Sequence, residues 1–252
     1  MQRPFHPVPN ALLDALPAAD LAMLTPYLVL LELERGRLLY DPGDRIDHVY
    51  FPYDGVISLM TLMRNGAAIE STTIGPEGAM GLMAAVAPRQ SLSRAIVQTP
   101  LRAGRINAER LHEAWTRSSV LRDLIDRHTE ALFGHAIQSV ACNALHSVEA
   151  RFCRWLLTCH DRISSDTVAL TQEFLADMLG VQRTTVTAVA RSLQEKGVIR
   201  YRRGVVDIMD RAALQALTCE CYGVIRGTYE RLLGSGEATG QEHAERRERF
   251  GS

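Results

Sequence analysis

The chain has 252 residues, of which 46% are hydrophobic and 23% are charged, and its formal net charge at pH 7 is −1. This length suits about two domains of ordinary size, each with its own core. No apolar run approaches the ~18 residues of a membrane-spanning helix, and the N-terminal sequence MQRPFHPVPN lacks the pattern of a secretion signal, so a soluble cytoplasmic protein is expected.

Residues 1–34 predict a short helical lead. A helix can begin at Pro17-Ala18-Ala19-Asp20. Apolar residues then recur at helical spacing, at Leu21, Leu24, Leu28 and Leu31. We expect this lead to cover one side of the domain that follows.

Residues 37–106 predict short β-strands separated by turns. The apolar runs are residues 38–40, 49–51, 56–62, 67–74, 95–99 and 101–106, with glycines at 43, 55, 66, 75 and 81 between or beside them. Pro42-Gly43-Asp44 and Arg64-Asn65-Gly66 are typical turn sequences. Because there is no room for the crossover helices of a parallel sheet, the pattern favours an antiparallel roll or barrel, whose interior can hold a small ligand.

A long helix is predicted after the strands. Asn107 is a suitable N-cap for a first helix, and a longer helical pattern follows Ser118-Ser119. Within it, residues at spacings near four and three predict a coiled-coil dimer seam: Leu121, Leu124, His128, Ala131, His135, Gln138, Cys142 and Leu145. The polar members could fix the register between two chains. Metal or haem ligation by the histidines is the alternative, but hydrogen bonding at an interface explains them equally well. A further helix is predicted over residues 147–163.

Residues 170–203 predict a helix-turn-helix. Ala176 is small enough for two helices to cross closely, and Gly180 can adopt the positive φ of a tight turn. Val186 and Val189 are apolar residues on the face of the second helix that packs against the first. The inward apolar set is Phe174, Leu175, Leu179, Val181, Val186, Val189 and Leu193. The residues left projecting from the second helix are candidates for contacting base edges in a DNA major groove: Gln182, Arg183, Thr184, Thr187, Ala188 and Arg191.

A hairpin is expected next, with two short β-like runs on either side of Arg203-Gly204, which makes a winged helix. Residues 182–204 hold six basic residues and one acidic residue, a local charge of +5. Such a patch suits DNA phosphates. The candidates for backbone contact are Thr171, Gln172, Thr185, Arg200, Arg202 and Arg203. A helical hairpin with a solvated basic face is the alternative interpretation. After Asp210 a last helix is predicted to about Leu233.

Motifs for other chemistry are weak. The five cysteines, an odd number without a secretion signal, favour reduced thiols. Cys219-Glu220-Cys221 with His146 and His160 could suggest a metal site, but C-x-C alone lacks the spacing of a structural zinc site and core packing explains it better. We expect no metal or other cofactor. The chain has no GxSxG, HExxH or P-loop motif, so no enzymatic activity is expected.

The order of these parts resembles the Crp/Fnr superfamily of bacterial transcription regulators over roughly residues 20–215. In the DNA-binding half, the matching residues are Leu170-Thr171-Gln172-Glu173, Leu179-Gly180-Val181, Arg183, Thr185-Val186, Leu193 and Gly197-Val198-Ile199. The resemblance implies an α+β fold: an antiparallel β-roll, cupin-like and of the cyclic-nucleotide-binding type, over residues 1–118, a dimerisation helix over 119–146, and a winged-helix domain over 147–233. The Gly-, Glu- and Arg-rich residues 234–252 are expected to be a disordered tail.

The sensor half departs from the family pattern. Members that bind cyclic nucleotides carry a cassette resembling FGE-L-A-L followed by R-S-A, because a carboxylate meets the ribose hydroxyl and an arginine meets the phosphate. Here residues 79–84 are AMGLMA, with Leu82 at the place of the carboxylate, and Arg94 lies in the later run. Gly81, Leu82 and Arg94 are therefore the candidate effector pocket, and a cyclic nucleotide is not the expected ligand. No cysteine precedes Cys142, which argues against the N-terminal iron–sulfur sensor of other members.

The predicted function is a sequence-specific DNA-binding regulator, a homodimer on a two-fold-related operator. Members that bind a TGTGA-like half-site use an arginine, a glutamate and a second arginine, whereas this chain keeps Arg183 but has Thr184 and Ala188, so a different operator is expected. Double-stranded DNA and a second copy of the chain are the expected partners, RNA polymerase is a further candidate, and the small-molecule effector is unknown. The alternatives are a winged-helix adaptor that binds protein, or a regulator that responds to a cyclic nucleotide or another small anion.

Overall fold

The computed structural model describes residues 10–233, and the predicted disordered tail over residues 234–252 lies outside the described residues. The fold is α+β, as predicted, with an antiparallel β region, a long helix and a C-terminal helix-turn-helix region. The helices are α1 (Ala11–Asp14), α2 (Ala18–Leu24), α3 (Ala108–Arg117), α4 (Ser119–Leu145), α5 (Val148–His160), α6 (Gln172–Leu179), α7 (Arg183–Glu195), α8 (Arg211–Ala216) and α9 (Cys221–Leu233). The strands are β1 (Val29–Leu33), β2 (Leu38–Tyr40), β3 (His48–Asp54), β4 (Ile57–Leu62), β5 (Ala68–Ile74), β6 (Arg94–Val97), β7 (Leu101–Asn107), β8 (Thr167–Ala169), β9 (Ile199–Arg202) and β10 (Val205–Ile208).

The N-terminal lead is shorter than predicted. Helix α2 begins directly after Pro17, as the sequence indicated. It ends before Pro26, which lies in a 3-10 turn over Thr25–Tyr27, because proline has no N–H to continue an α-helix. Leu31 was expected on the helix but lies on β1, where it pairs with Ala103 of β7. The helical spacing of the leucines therefore predicted a helix that extends too far, into residues that form the edge strand β1.

Two antiparallel sheets, in the orders β1-β7-β3 and β2-β6-β4-β5, make up what we call the β-roll. The β4–β5 turn has the predicted chemistry, since Gly66 has φ 86° and the Asn65 side chain accepts from the Ala67 N–H. Side chains from both sheets fill the interior of the β-roll, among them Tyr40, Leu59 and Leu101.

Helix α4 packs one face against its own chain. Six of the eight residues predicted for the dimer seam are buried: Leu121, Leu124, His128, Ala131, His135 and Cys142. Leu121, Leu124 and Ala131 share a core with the β-roll and with Ile225 and Tyr229 of α9. This corrects the expected seam, because these six residues pack against α9 and the β-roll of their own chain. Within the described residues, the large apolar side chains that α4 leaves exposed are Phe133, Ile137, Val140 and Leu145.

The C-terminal region surrounds a second core, formed by α5 to α8 and by the sheet β8-β10-β9. Phe152, Trp155 and Leu156 of α5 are buried there, as predicted. The single last helix that the sequence predicted is interrupted between α8 and α9. The interruption lets Cys219 and Cys221 pack against Cys142 of α4, and α9 then runs along α4.

The C-terminal region also packs against the β-roll. Val56 and Met60 of the β4 region belong to the same core as α5 and α6, and the Trp155 Nε1–H donates to Glu70 of β5 at 3.0 Å. Between residues 10 and 233, no helix has both the length and the apolar character needed to span a membrane.

Candidate nucleic-acid interface

The turn between α6 and α7 has the geometry that the sequence predicts. Thr171 caps α6 by accepting from the Phe174 N–H at 3.3 Å. The helix ends at Gly180, whose φ of 62° lies in the left-handed region, and the Val181 N–H donates back to the Ala176 carbonyl at 3.0 Å. A left-handed residue at this place favours glycine. The short turn therefore starts α7 only three residues after Gly180.

Helix α7 separates into a buried face and an exposed face. Val186, Ala190 and Leu193 are buried in the second core. All six candidate base-contacting residues are exposed: Gln182, Arg183, Thr184, Thr187, Ala188 and Arg191. Because the first turn of such a helix enters the major groove in helix-turn-helix proteins, Arg183 occupies the end where base contacts are expected.

Ion pairs divide the basic residues of this surface into two groups. Arg191 pairs with Glu195 at 2.9 Å and Lys196 pairs with Glu149 at 2.6 Å. Arg202 pairs with Asp207 at 2.9 Å, and this guanidinium holds the pKa of the Asp207 carboxyl below its usual value. Arg183, Arg200 and Arg203 form no ion pair with any described residue. These three guanidinium groups are the ones that can meet DNA without first breaking an ion pair.

The hairpin of β9 and β10, which we call the wing, turns at Arg203 and Gly204. Both have positive φ, 44° and 80°, as a two-residue hairpin turn with the twist of the strands requires. The Leu170 N–H donates to the Gly204 carbonyl at 2.6 Å, and the Tyr201 hydroxyl donates to the Leu170 carbonyl at 3.0 Å. These bonds fix the wing beside the start of α6 and leave the Arg203 side chain exposed at its tip.

The other candidates for contact with the DNA backbone differ in exposure and in whether their hydrogen-bonding groups are already used. Thr171 uses an oxygen lone pair for its cap and keeps a hydroxyl proton to donate. Gln172 accepts from the Thr187 hydroxyl at 3.0 Å, so a base-contact candidate and a backbone-contact candidate are bonded to each other. Thr185 is half-buried, and Arg200 is exposed on the wing.

Comparison with known proteins agrees with this arrangement along the chain. A model of the cyclic nucleotide-binding domain matches residues 30–118, and a model of the Crp-like helix-turn-helix domain matches residues 150–217. The global nitrogen regulator of Nostoc sp. is 22% identical over 185 residues, which are 69% of this chain and 82% of that protein. The global nitrogen regulator of Synechococcus elongatus is 21% identical over 193 residues, 73% of this chain and 86% of that protein.

The chain belongs to the Crp/Fnr family of DNA-binding transcription regulators.

Three solved structures share the fold of this chain. FixK2 from Bradyrhizobium japonicum superposes with a TM-score of 0.64 at 16% identity, over 76% of this chain and 98% of that chain. A CRP-family regulator from Thermus thermophilus gives 0.61 at 19% identity, over 81% and 97% of the two chains. The c-di-GMP-responsive global regulator CLP of Xanthomonas campestris gives 0.57 at 16% identity, over 77% and 100%.

The candidate effector pocket is apolar where a cyclic nucleotide would need polar groups. Gly81 has φ 92° and precedes a short 3-10 turn, as a cassette turn allows. Leu82 is buried against Phe51 and Leu124. Arg94 forms a two-pronged ion pair with Asp41, Nε to Oδ1 at 2.6 Å and Nη2 to Oδ2 at 3.0 Å. The three candidate pocket residues therefore do not present a free carboxylate and a free guanidinium together.

Sequence reasoning identified the exposed face of α7 but missed the ion pairs that occupy three of the six basic residues in 182–204. The spacing of Arg191 and Glu195 by four residues on one helix was a usable indication. The partners of Lys196 and Arg202 could not be identified in this way, because Glu149 lies on α5 and Asp207 lies on the next strand.

Proposed function

We propose that this regulator acts as a homodimer that contacts a two-fold-related operator, with one α7 in the major groove of each half-site. The observation that carries the proposal is the exposed first turn of α7, where Arg183 has no ion pair within residues 10–233 and Arg203 projects from the adjacent wing. Arg183 can then donate two hydrogen bonds to a guanine edge. Gln182, Thr184, Thr187, Ala188 and Arg191 would contact neighbouring base edges.

The backbone contacts would come from the edges of this surface. Thr171 and Gln172 at the start of α6, with Thr185, can donate hydrogen bonds to phosphate oxygens. Arg200 and Arg203 would supply charge, and Arg202 would do so only after releasing Asp207. Such contacts position the protein and make its affinity depend on salt.

The dimer would form along the exposed stripe of α4 rather than along the face predicted from the sequence. Phe133, Ile137 and Val140 follow one another at spacings of four and three, and 67%, 55% and 72% of their surfaces are exposed. Residues at these spacings share one face of a helix. Three large apolar side chains held in water are unfavourable, and pairing with the same stripe of a second α4 removes them from water.

The β-roll would regulate the DNA-binding region without binding a cyclic nucleotide. Leu82 offers no hydrogen-bond acceptor and Arg94 is held by Asp41, so neither the ribose hydroxyl nor the cyclic phosphate would meet its partner. We also propose that residues 1–118, 119–146 and 147–233 form the three parts of the protein. The protein would be cytoplasmic, would contact RNA polymerase and would have no catalytic activity. The proteins that the chain matches include a global nitrogen regulator and a transcriptional regulator of the CRP family.

The experiment is selection of binding sites from a pool of random duplex DNA with the full-length protein. We expect enrichment of two half-sites related by a two-fold axis, with centres about one helical turn apart. Enrichment of a single half-site, or of no sequence at moderate salt, would contradict the proposal. Binding of all duplexes alike with a steep salt dependence would leave only phosphate contact.

A further inference from the structure

Four side chains with metal-binding atoms meet at the junction of α4, α5 and α9. They are Cys142 and His146 at the end of α4 and Cys219 and Cys221 at the start of α9. Their sulfur and nitrogen atoms all lie within 4.8 Å of one another, and the three cysteines are buried. The two pairs come from parts of the chain more than 70 residues apart, so the fold itself brings them together.

Two of the six separations between the ligand atoms match those around a single tetrahedral ion. The Sγ atoms of Cys142 and Cys219 are 3.6 Å apart, and the Cys221 Sγ lies 3.5 Å from the His146 Nδ1. With metal–sulfur distances of about 2.3 Å and metal–nitrogen distances of about 2.0–2.1 Å, tetrahedral edges are about 3.8 Å between sulfurs and about 3.6 Å between sulfur and nitrogen. These two separations therefore fit one ion at the centre of the cluster, and the other separations are at most 4.8 Å.

The histidine is also oriented as a ligand. Its Nε2 lies 3.1 Å from the Glu220 carboxylate, while its Nδ1 faces the cysteines. A carboxylate that accepts from the far ring nitrogen fixes the tautomer that leaves the near nitrogen free to bind a metal. Gln138 adds a donor to the Cys221 sulfur, at 3.0 Å from its Nε2, and such bonds are common around metal thiolates.

Two buried arginine side chains can balance the negative charge of the thiolates. Three thiolates and one divalent ion carry a net charge of −1, which is unfavourable in a buried position. Arg151 and Arg154 are buried, and their Nε atoms have no hydrogen-bond partner within residues 10–233. These guanidinium groups can offset the charge of a metal-bound cluster.

We propose that Cys142, His146, Cys219 and Cys221 form a tetrahedral site for one divalent ion that prefers thiolate ligands, with Zn²⁺ as the matching ion. Three cysteines and one histidine without an open position are a structural ligand set. The ion would tie the first turn of α9 to the last turn of α4, directly at the point where α4 gives way to α5. The inference rests on this geometry and is independent of the proposed function.

The test is metal analysis of the full-length protein, purified with a thiol reductant and without chelator. We expect one zinc ion per chain by elemental mass spectrometry. Metal-free protein titrated with Co²⁺ in the absence of oxygen should develop thiolate-to-cobalt charge-transfer absorption and the strong visible bands of tetrahedral cobalt, and added Zn²⁺ should abolish both. Reduced protein that contains no zinc and shows no charge-transfer absorption with Co²⁺ would overturn the proposal. A Cys142–Cys219 disulfide without metal in freshly prepared protein would do the same.

Variants separate ligation from folding. Cys221→Ser and His146→Gln should lose zinc and the cobalt spectrum. Glu220→Gln changes an exposed side chain, so the protein should fold normally, keep one site and bind Zn²⁺ about 10- to 100-fold more weakly. Cys159→Ser is the matched control, since Cys159 is equally buried but lies on α5 outside the cluster, and its zinc content should be unchanged. Equal zinc loss in Cys159→Ser and Cys221→Ser, or unchanged zinc affinity in Glu220→Gln, would overturn the assignment.

Discussion

Trp155 of α5 donates its indole N–H to the carboxylate of Glu70 on β5 across the boundary between the C-terminal region and the β-roll. The Ser58 hydroxyl donates to the other carboxylate oxygen at 2.5 Å. Burial raises the pKa of Glu70 above its ordinary value of 4.5, and these two hydrogen bonds offset only part of the rise. A titratable group thus lies where the two regions meet.

The first prediction is that Glu70→Gln stabilises the protein at neutral pH. Because the pKa of Glu70 is higher in the folded state than in the unfolded state, its contribution to stability is complete below about pH 4.5 and is lost as pH rises through the folded pKa. Glutamine keeps an acceptor for Trp155 and carries no charge. The melting temperature of the variant should exceed that of the wild type at pH 7 and equal it near pH 4. Glu34→Gln, at an exposed position, is the control and should change neither value.

The second prediction concerns acid stability and His128 of α4. This imidazole is buried and its Nε2 accepts from the Ala79 N–H at 3.3 Å. Burial lowers the pKa of His128 from 6.5 to about 4. The stability that the neutral imidazole contributes is therefore complete above about pH 6.5 and is lost as the pH falls to about 4. The free energy of unfolding should decrease by about 3 kcal/mol over this range. Urea unfolding should show this loss in the wild type.

The matched variants for this prediction are His128→Gln and His112→Gln. His128→Gln should make the decline between pH 6.5 and pH 4 smaller by about 3 kcal/mol, because glutamine can still accept a hydrogen bond and does not titrate. The part of the decline that comes from the buried His135 should remain. His112 lies on α3, where its Nδ1 is 2.6 Å from the Ala85 carbonyl oxygen. A decline that is removed by His112→Gln rather than by His128→Gln would refute the assignment.

The third prediction separates base contact from phosphate contact. Arg183→Ala should weaken binding to the selected operator by about 1–3 kcal/mol and leave binding to random duplex almost unchanged. Arg203→Asn, chosen because asparagine tolerates the positive φ at that position, should weaken both DNAs and reduce the salt slope by about one. Titrations of each protein with both duplexes at several salt concentrations give these values.

Arg202→Ala serves as the control for the wing. Arg202 is adjacent to Arg203 but is paired with Asp207, so its removal should have a smaller effect on the salt slope. If Arg183→Ala weakened both duplexes equally, α7 would not recognise bases through that residue.

The fourth prediction is that Ile137→Glu splits the dimer and leaves the fold intact. Ile137 is exposed on the stripe of α4, so glutamate there meets a partner chain only in the dimer. Leu124→Glu should instead lower the melting temperature strongly, because Leu124 is buried in its own chain. Sedimentation reports the assembly and circular dichroism the fold. Val224→Glu, at an exposed apolar position on α9, should change neither.

The fifth prediction is that millimolar cyclic AMP or cyclic GMP leaves the melting temperature and the operator affinity unchanged. A ligand stabilises only a state that it binds, and here Leu82 and the paired Arg94 offer it neither an acceptor nor a free cation. A clear rise in melting temperature with either nucleotide would contradict this interpretation of the cassette.

The sequence predicted those parts of the fold in which local rules decide. Gly180, the Arg203-Gly204 turn and the Asn107 cap follow from backbone chemistry within a few residues. The stripe of α4 was recognised from its spacing, but periodicity does not identify the partner of a stripe, and α9 is far from α4 along the chain. The sequence therefore did not decide whether the stripe packs against a second chain or against its own chain.

The cysteine and histidine cluster is a second case in which the sequence did not show which distant residues meet. Cys142 and His146 are four residues apart at the end of one helix, and Cys219 and Cys221 are two apart, so each pair was visible in the sequence. Their meeting depends on the interruption between α8 and α9, which the helical pattern after Asp210 did not indicate. His160, which the sequence set beside them, instead contacts Asp166 and Arg211.

Leu12 and Leu13, near the start of the chain, lie in one apolar cluster with Ile225, Tyr229 and Leu233 near its end. During synthesis the β-roll would therefore leave the ribosome before the helix that completes this cluster exists. The nascent chain must keep that apolar surface from aggregating until residues 221–233 have been synthesised. A premature stop codon ahead of residue 221 would thus produce a protein whose exposed apolar surface, and whose recognition by chaperones and proteases, is in its N-terminal half.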